Sequence, residues 1–249
     1  MLRYPRALLV VVLFLITVLS WAWIVLMARD MHGSMLGPAA WMMTPVWDGP
    51  HLLLLWAMWA VMMAGMMLPS ASPVLLLYAG AVRNRADEPR AMLHVYALAT
   101  GYLTVWAAFS VGAMVIQRMF GSLRLLTPMM EPATPVAGAA VLLVAGIYQM
   151  TPLKRVCLRT CRSPLSFLTR RWRSGRAGAF RMGVEHGIYC LGCCWALMLL
   201  LFAGGVMNLF VIAALTAWVT VEKIAPFGEQ GARASGALLI ATAAWMLAR

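Results

Sequence analysis

Four potential metal ligands lie close together in the stretch MGVEHGIYCLGCCWALM, residues 182–198. They are His186, Cys190, Cys193 and Cys194. At about 100° per residue of an α-helix, these four side chains cover about one third of the helix surface. Thiolate sulfur and imidazole nitrogen bind soft and borderline transition metals. The spacing therefore predicts a helix that presents half of a metal site, and the remaining ligands must come from another segment.

All five cysteines of the chain fall between residues 157 and 194. Cys157 and Cys161 are four residues apart, so a helix would place both on one face. The topology derived below places all five near the cytoplasmic face, where thiols stay reduced. We therefore expect metal ligation or dithiol redox chemistry rather than structural disulfides. The simpler alternative is that cysteine serves here as a small apolar packing residue.

Methionine is concentrated in the segment WAMWAVMMAGMMLPSASP, residues 56–73. Thioether sulfur is a soft, neutral ligand that suits Cu(I), so Met66 and Met67 are candidate ligands. Together with further methionines in the outer segment 28–50, they would form a soft-ligand path toward the cysteines. The alternative is that these methionines are adaptable core residues.

Prolines and glycines predict where helices bend or touch. Pro69 and Pro73 are expected to bend or break their helix, with Ser70 and Ser72 available to satisfy the carbonyl groups that they leave without a donor. Close contacts between helices are expected at glycines of the third and fourth spans. These glycines are Gly101, Gly112, Gly138 and Gly146.

The composition is that of an integral membrane protein. Hydrophobic residues make up 63% of the chain and charged residues 11%, and several uncharged runs exceed the length that a bilayer requires. We expect residues 1–249 to form one integral membrane domain, an all-α polytopic helical bundle with about seven spans, or six if the short last run does not cross. The expected spans are 7–28, 51–80, 91–117, 133–153, 183–204, 207–224 and 232–248.

The distribution of Lys and Arg sets the expected orientation. With a cytoplasmic N-terminus, the inner segments hold 16 of these residues and the outer segments 4, which agrees with the positive-inside rule. This predicts a multi-pass protein of the bacterial inner membrane. The inner loop 154–181 has nine basic residues and no acidic one, so we expect it to contact anionic lipid headgroups. No aromatic and basic motif supports nucleic-acid binding.

Two ionisable residues lie near the inner end of the sixth expected span. Glu222 and Lys223 adjoin each other in sequence, so their side chains do not face each other on a helix. An ionisable residue at membrane depth is a functional candidate. For Lys223 we favour a structural role, in which its side chain reaches the headgroup zone.

Three stretches resemble a bacterial family of uncharacterised, predicted metal-binding integral membrane proteins. They are MMAGMMLPSASP (62–73), YQMTPLKRVCLRTCRSP (148–164), and GIYCLGCCWALM with VMNL and VEK after it (187–223). The resemblance implies a compact helical protein with several spans and a metal site, and it supplies no reaction. The site residues that it carries over are Met66, Met67, Cys157, Cys161, Cys190, Cys193, Cys194 and Glu222.

These observations lead to one principal hypothesis and two alternatives. The principal hypothesis is a membrane protein that handles a soft metal, with Cu(I) favoured over Zn(II). Its ligands would be the cysteines of span 5, joined by those of the inner loop and by His186. No catalytic motif is found, so an enzyme is less expected. The alternatives are a membrane thiol–disulfide oxidoreductase that uses Cys190 and Cys193, and a non-catalytic subunit or assembly factor that binds a membrane-protein partner.

Overall fold

The computed structural model describes residues 4–33, 48–83, 88–127 and 130–248. Within these ranges the chain forms nine α-helices and no β-strand. They are α1 (Tyr4–His32), α2 (Gly49–Arg83), α3 (Glu88–Ser122), α4 (Pro135–Met150), α5 (Pro152–Arg162), α6 (Pro164–Arg170), α7 (Gly175–Gly204), α8 (Leu209–Ile224) and α9 (Gly228–Leu247). The all-α expectation is therefore confirmed.

Four helices are long and apolar enough to cross a membrane. The qualifying stretches are Ala7–Met31 in α1, Gly49–Val82 in α2, Ala91–Ser122 in α3 and Gly175–Gly204 in α7. Helices α4 and α5 meet at a bend of 66° and add a fifth crossing if they count as one span. The predicted count of seven spans, or six, is therefore wrong for the part of the chain that the structure describes.

Length and polarity explain the difference. Helix α8 has 16 residues and is about 24 Å long, which is less than the roughly 30 Å hydrocarbon core of a bilayer. Helix α9 has 20 residues, but Glu229 and Arg233 lie in its first two turns. Its uncharged part is therefore shorter than the helix that a membrane span requires. The predicted inner loop 154–181 is also largely helical, because it contains α5, α6 and the start of α7.

Helix α7 lies at the centre of the bundle, where it contacts α3, α4, α5 and α8. Its contact with α3 is made backbone to backbone. A Cβ atom on Gly183 would lie 2.0 Å from Leu98 O, and one on Gly101 would lie 2.2 Å from Phe180 O. The close contact expected at Gly101 is thus confirmed.

The other three glycines of the third and fourth spans differ in their surroundings. Gly146 of α4 approaches α9, since an added Cβ would lie 2.9 Å from Gly236 O. Gly138 has looser contacts, the nearest being Met246 Cε at 3.4 Å from an added Cβ. Gly112 faces open space, with no atom within 4 Å of an added Cβ. The contact expected there is wrong.

Helix α2 continues through both of its prolines as a single helix. The expected break is therefore not observed. Ser72 Oγ donates a hydrogen bond of 2.8 Å to Pro69 O, the carbonyl that Pro73 leaves without a backbone donor. Ser70 Oγ donates to Met67 O at 2.9 Å. The serines keep the backbone satisfied in this apolar helix, as expected for Ser72.

Candidate metal centre

Four cysteines and one methionine from three helices form a largely buried group, which we call the sulfur cluster. It consists of Cys161 of α5, Cys190, Cys193 and Cys194 of α7, and Met67 of α2. Cys161 Sγ lies 3.9 Å from Cys193 Sγ, and Cys194 Sγ lies 3.9 Å from Met67 Sδ. Cys190 lies one helical turn before Cys194, whose thiol donates a hydrogen bond to Cys190 O. The structure thus brings sulfur atoms from distant parts of the chain together.

The three cysteines of α7 share the buried side of that helix, with 1% exposure each. The thiols of Cys193 and Cys194 donate to Cys190 O at 3.1 and 2.9 Å. These local hydrogen bonds hold both sulfurs close to the helix backbone. Their single stripe on one helix agrees with the spacing in the sequence.

Gly192 allows α5 to approach α7 at the cluster. A Cβ atom at this position would lie 2.7 Å from Cys157 Sγ, so the Cys157 thiol packs against the backbone of α7. Tyr148 OH donates a hydrogen bond to Gly192 O, and the Tyr148 ring packs on Trp195 with centroids 4.9 Å apart. Cys157 therefore lies beside the sulfur cluster, on the face of α7 that carries Gly192.

The spacing of the sulfur atoms suits a shared metal ion. Two thiolates that each lie about 2.3 Å from one ion are about 4 Å apart in trigonal or tetrahedral geometry, and Cys161 Sγ and Cys193 Sγ are 3.9 Å apart. Within the ranges that the structure describes, no group of three or more His, Cys, Asp and Glu is already arranged to hold a metal. Binding would therefore require the thiols to turn toward a common point. The donor set, thiols with one thioether, is chemically soft.

Lys223 of α8 reaches the sulfur cluster. Its Nζ lies 3.0 Å from Cys190 Sγ and 3.0 Å from Ser70 Oγ, and the residue is only 7% exposed. Tyr102 OH of α3 is 3.1 Å from the same cysteine sulfur and 3.3 Å from Met67 O. The interpretation that Lys223 reaches the headgroup zone is therefore wrong.

A sequence signal for Lys223 existed. Adjacent Glu222 and Lys223 follow a run of 36 uncharged residues, and neighbours on a helix point about 100° apart. An ionisable residue at the end of such an apolar run is a candidate for a buried, functional position. The sequence alone does not show which residues Lys223 contacts, because Ser70 and Cys190 lie 153 and 33 residues away from it.

Glu222 belongs to a separate buried ion pair. Its carboxylate accepts hydrogen bonds from Lys154 Nζ at 2.6 Å, from Gln149 Nε2 at 2.9 Å and from Trp218 Nε1 at 2.9 Å. Lys154 and Glu222 are 1% and 2% exposed. Lys154, expected among lipid headgroups, is thus inside the bundle. A metal-binding role for Glu222 stays a prediction.

His186 lies one helical turn before Cys190 and is 4% exposed. Its ring packs against Tyr102 and Phe167, with centroids 5.7 and 5.1 Å apart. His186 Nδ1 is buried without a hydrogen-bond partner among the described residues. A ligand role for this histidine stays a prediction.

Met66 is fully buried in the same core as the sulfur cluster. As the sequence neighbour of Met67, it points about 100° away from it around α2. It thus does not share the direction of the thioether that contacts Cys194, and its ligand role also stays a prediction. Of the outer segment 28–50, residues 34–47 lie outside the described ranges, so most of the proposed outer methionine path lies there.

The basic segment 154–181 carries exposed arginines, some of which pair with acidic residues. Arg159 Nε lies 2.6 Å from Glu229 Oε1, and Arg171 Nη1 lies 2.7 Å from Glu185 Oε1. The hydrogen bonds from Arg159 lower the pKa of Glu229 below its usual value. Contact of this segment with anionic headgroups stays a prediction.

Comparison with known proteins identifies a family. A family model described as a copper chaperone (PpoB2) matches residues 56–246, a range that contains all five members of the sulfur cluster. The match confirms the metal-related, copper-related part of the resemblance seen in the sequence. No curated protein and no solved structure shows a significant match.

Proposed function

The chain belongs to this copper chaperone family, and on that premise we propose that it binds Cu(I) at the sulfur cluster and transfers the ion to a second protein. The observation that carries the proposal is the 3.9 Å separation of Cys161 Sγ and Cys193 Sγ. These two thiols lie on different helices, so helix packing brings two candidate ligands close together.

The ligand chemistry supports Cu(I). Thiolates and thioethers are soft donors that select Cu(I), and Met67 contributes a thioether sulfur 3.9 Å from Cys194 Sγ. The five cysteines are all free thiols. A chaperone must also release its cargo, and exchange between thiolates of two partners allows release without a free ion in water. Cys161 is more exposed than the three cysteines of α7, which makes it the first contact for a donor or an acceptor.

We place this activity at the cytoplasmic side of a bacterial inner membrane. Four helices that are long and apolar enough to cross a bilayer support this placement, as does the excess of Lys and Arg in the expected inner segments. The exposed arginines of segment 154–181 would then lie against anionic headgroups. The acceptor of the copper would be another membrane protein.

Copper content of the purified protein tests the proposal. The full chain in detergent is loaded anaerobically with Cu(I) in the presence of a competing chelator, and bound copper is measured by elemental analysis. Wild type is expected to retain stoichiometric copper, whereas the triple variant with Cys190, Cys193 and Cys194 changed to Ala is expected to lose it. Met31→Leu is the matched control, because Met31 is a buried methionine of α1 outside the cluster. Unchanged copper in the triple variant would contradict the proposal.

One observation also favours the oxidoreductase alternative. The Lys223 ammonium group lies 3.0 Å from Cys190 Sγ, and a nearby positive charge suits a nucleophilic thiolate. In that case a Cys190–Cys193 disulfide must form and be reduced reversibly, and variants with one of the two cysteines must trap mixed disulfides with a partner. Mass analysis after alkylation of oxidised and reduced protein separates the two functions, because a copper chaperone requires no such disulfide.

A further inference from the structure

The two buried lysines of the bundle have different surroundings. Lys154 Nζ lies 2.6 Å from the Glu222 carboxylate. Lys223 Nζ contacts a hydroxyl and a thiol, Ser70 Oγ and Cys190 Sγ, each at 3.0 Å. No carboxylate pairs with Lys223 in the part of the chain that the structure describes. A buried ammonium group without an anionic partner is costly, so this arrangement needs a source of negative charge.

Metal ligation supplies that charge. Cysteines bind metal as thiolates and release their protons when they do so. Cys190 Sγ would then carry negative charge 3.0 Å from Lys223 Nζ. With two thiolates and one monovalent ion, the ammonium group brings the total charge of the buried site to zero. This step rests on the proposed function, because it takes the sulfur cluster as the binding site.

Lys223 is held in place by a chain of contacts. Ser70 Oγ accepts from Lys223 Nζ at 3.0 Å and donates to Met67 O at 2.9 Å, which matches the one donor and two acceptor sites of a hydroxyl. The charge is therefore fixed relative to the backbone that carries the Met67 thioether. A metal ion about 2.3 Å from the Cys190 sulfur would lie within roughly 5.3 Å of this ammonium group.

We propose that Lys223 makes the sulfur cluster selective for a monovalent metal ion over a divalent one. For the same set of ligands, the ammonium group repels a divalent ion twice as strongly as a monovalent ion at the same distance. Burial increases the effect, because the interior screens charge less than water does. Lys223 is thus a residue that determines metal specificity without ligating the metal.

The test compares Ag(I) with Cd(II), two thiophilic ions that differ in charge. Affinities of the full chain in detergent are measured by competition with chelators for wild type, Lys223→Gln and Lys223→Arg. A second route leaves the lysine in place and gives it a carboxylate, as Lys154 has. Ser70→Asp does this, and Ser70→Asn is its uncharged control.

We expect Lys223→Gln and Ser70→Asp each to lower the ratio of Ag(I) to Cd(II) affinity at least about tenfold. Lys223→Arg and Ser70→Asn should keep a ratio close to that of wild type, since both preserve an uncompensated positive charge. A misfolded variant would lose both ions, whereas a change in the ratio reports on charge. The inference is overturned if the ratio stays the same in every correctly folded neutralised variant while wild type binds Ag(I). Failure of wild type to bind Ag(I) or Cu(I) would instead contradict the proposed function.

Discussion

Cys161 Sγ lies 3.9 Å from Cys193 Sγ, although 32 residues separate the two cysteines in the chain. The contact exists because α5 packs against α7 at Gly192, where no side chain keeps the two helices apart. The packing of α5 against α7 therefore also brings these two candidate ligands together. Several consequences of this relationship can be measured.

Gly192→Ala is expected to lower the thermal stability of the protein, because the new Cβ would lie 2.7 Å from Cys157 Sγ. The thiol must turn away or α5 must move. In a Cys157→Ala background the same change should be neutral or stabilising, since alanine favours a helix over glycine by up to about 1 kcal/mol. Unfolding temperatures of the four proteins in detergent form the double-mutant cycle. An equal penalty in both backgrounds would rule out this contact.

Gly183→Ala is expected to be strongly destabilising, because its Cβ would lie 2.0 Å from the carbonyl oxygen of Leu98 in α3. A backbone atom cannot turn away as a side chain does, so α3 and α7 must separate at a cost of about 1–3 kcal/mol or more. Gly112→Ala in α3 is the matched control, with no atom within 4 Å of the new Cβ. Thermal unfolding in detergent should show a large loss for the first variant and none for the second.

Lys154→Met is expected to destabilise the fold by about 3–5 kcal/mol, because it leaves the Glu222 carboxylate buried without its cation. The double variant Lys154→Met with Glu222→Gln should recover most of this loss, since no buried charge remains. Stability measured by thermal or denaturant unfolding checks the pair. If the double variant is as unstable as the single one, the packing of the lysine stem matters more than its charge.

Met67→Leu is expected to weaken Cu(I) binding about tenfold, the factor that corresponds to about 1.4 kcal/mol, while the fold is kept. The leucine side chain preserves volume but removes the sulfur that lies 3.9 Å from Cys194 Sγ. The comparison is with Met31→Leu, which removes a buried thioether elsewhere. Chelator competition gives both affinities, and equal values would exclude Met67 from the site.

The fold follows from the sequence where a long apolar run decides the outcome. Helices α1, α2, α3 and α7 contain the four longest of the expected spans, 7–28, 51–80, 91–117 and 183–204. The shorter runs at 207–224 and 232–248 also form helices, but they do not reach the length and polarity of a span. Uncharged composition predicts an apolar environment for a segment, and it does not distinguish lipid from contact with other helices.

The candidate site was accessible from the sequence only in part. The stripe of cysteines on α7 follows from helical periodicity, which is a local property. The contacts of Lys223 do not follow from helical periodicity, because Ser70 and Cys190 belong to α2 and α7. Only the packing of these helices brings both residues to the end of α8. Likewise, the basic segment that contains Lys154 predicted a loop at the lipid headgroups. In the structure, Lys154 is buried and forms an ion pair with Glu222.

X-ray absorption at the copper edge of the Cu(I)-loaded full chain tests the central claim most directly. The account predicts a first shell made only of sulfur, with two or three ligands, and a loss of sulfur from that shell in the Cys161→Ser variant. Copper held by nitrogen or oxygen in wild type, or an unchanged sulfur shell in Cys161→Ser and in the triple variant of Cys190, Cys193 and Cys194, would contradict it.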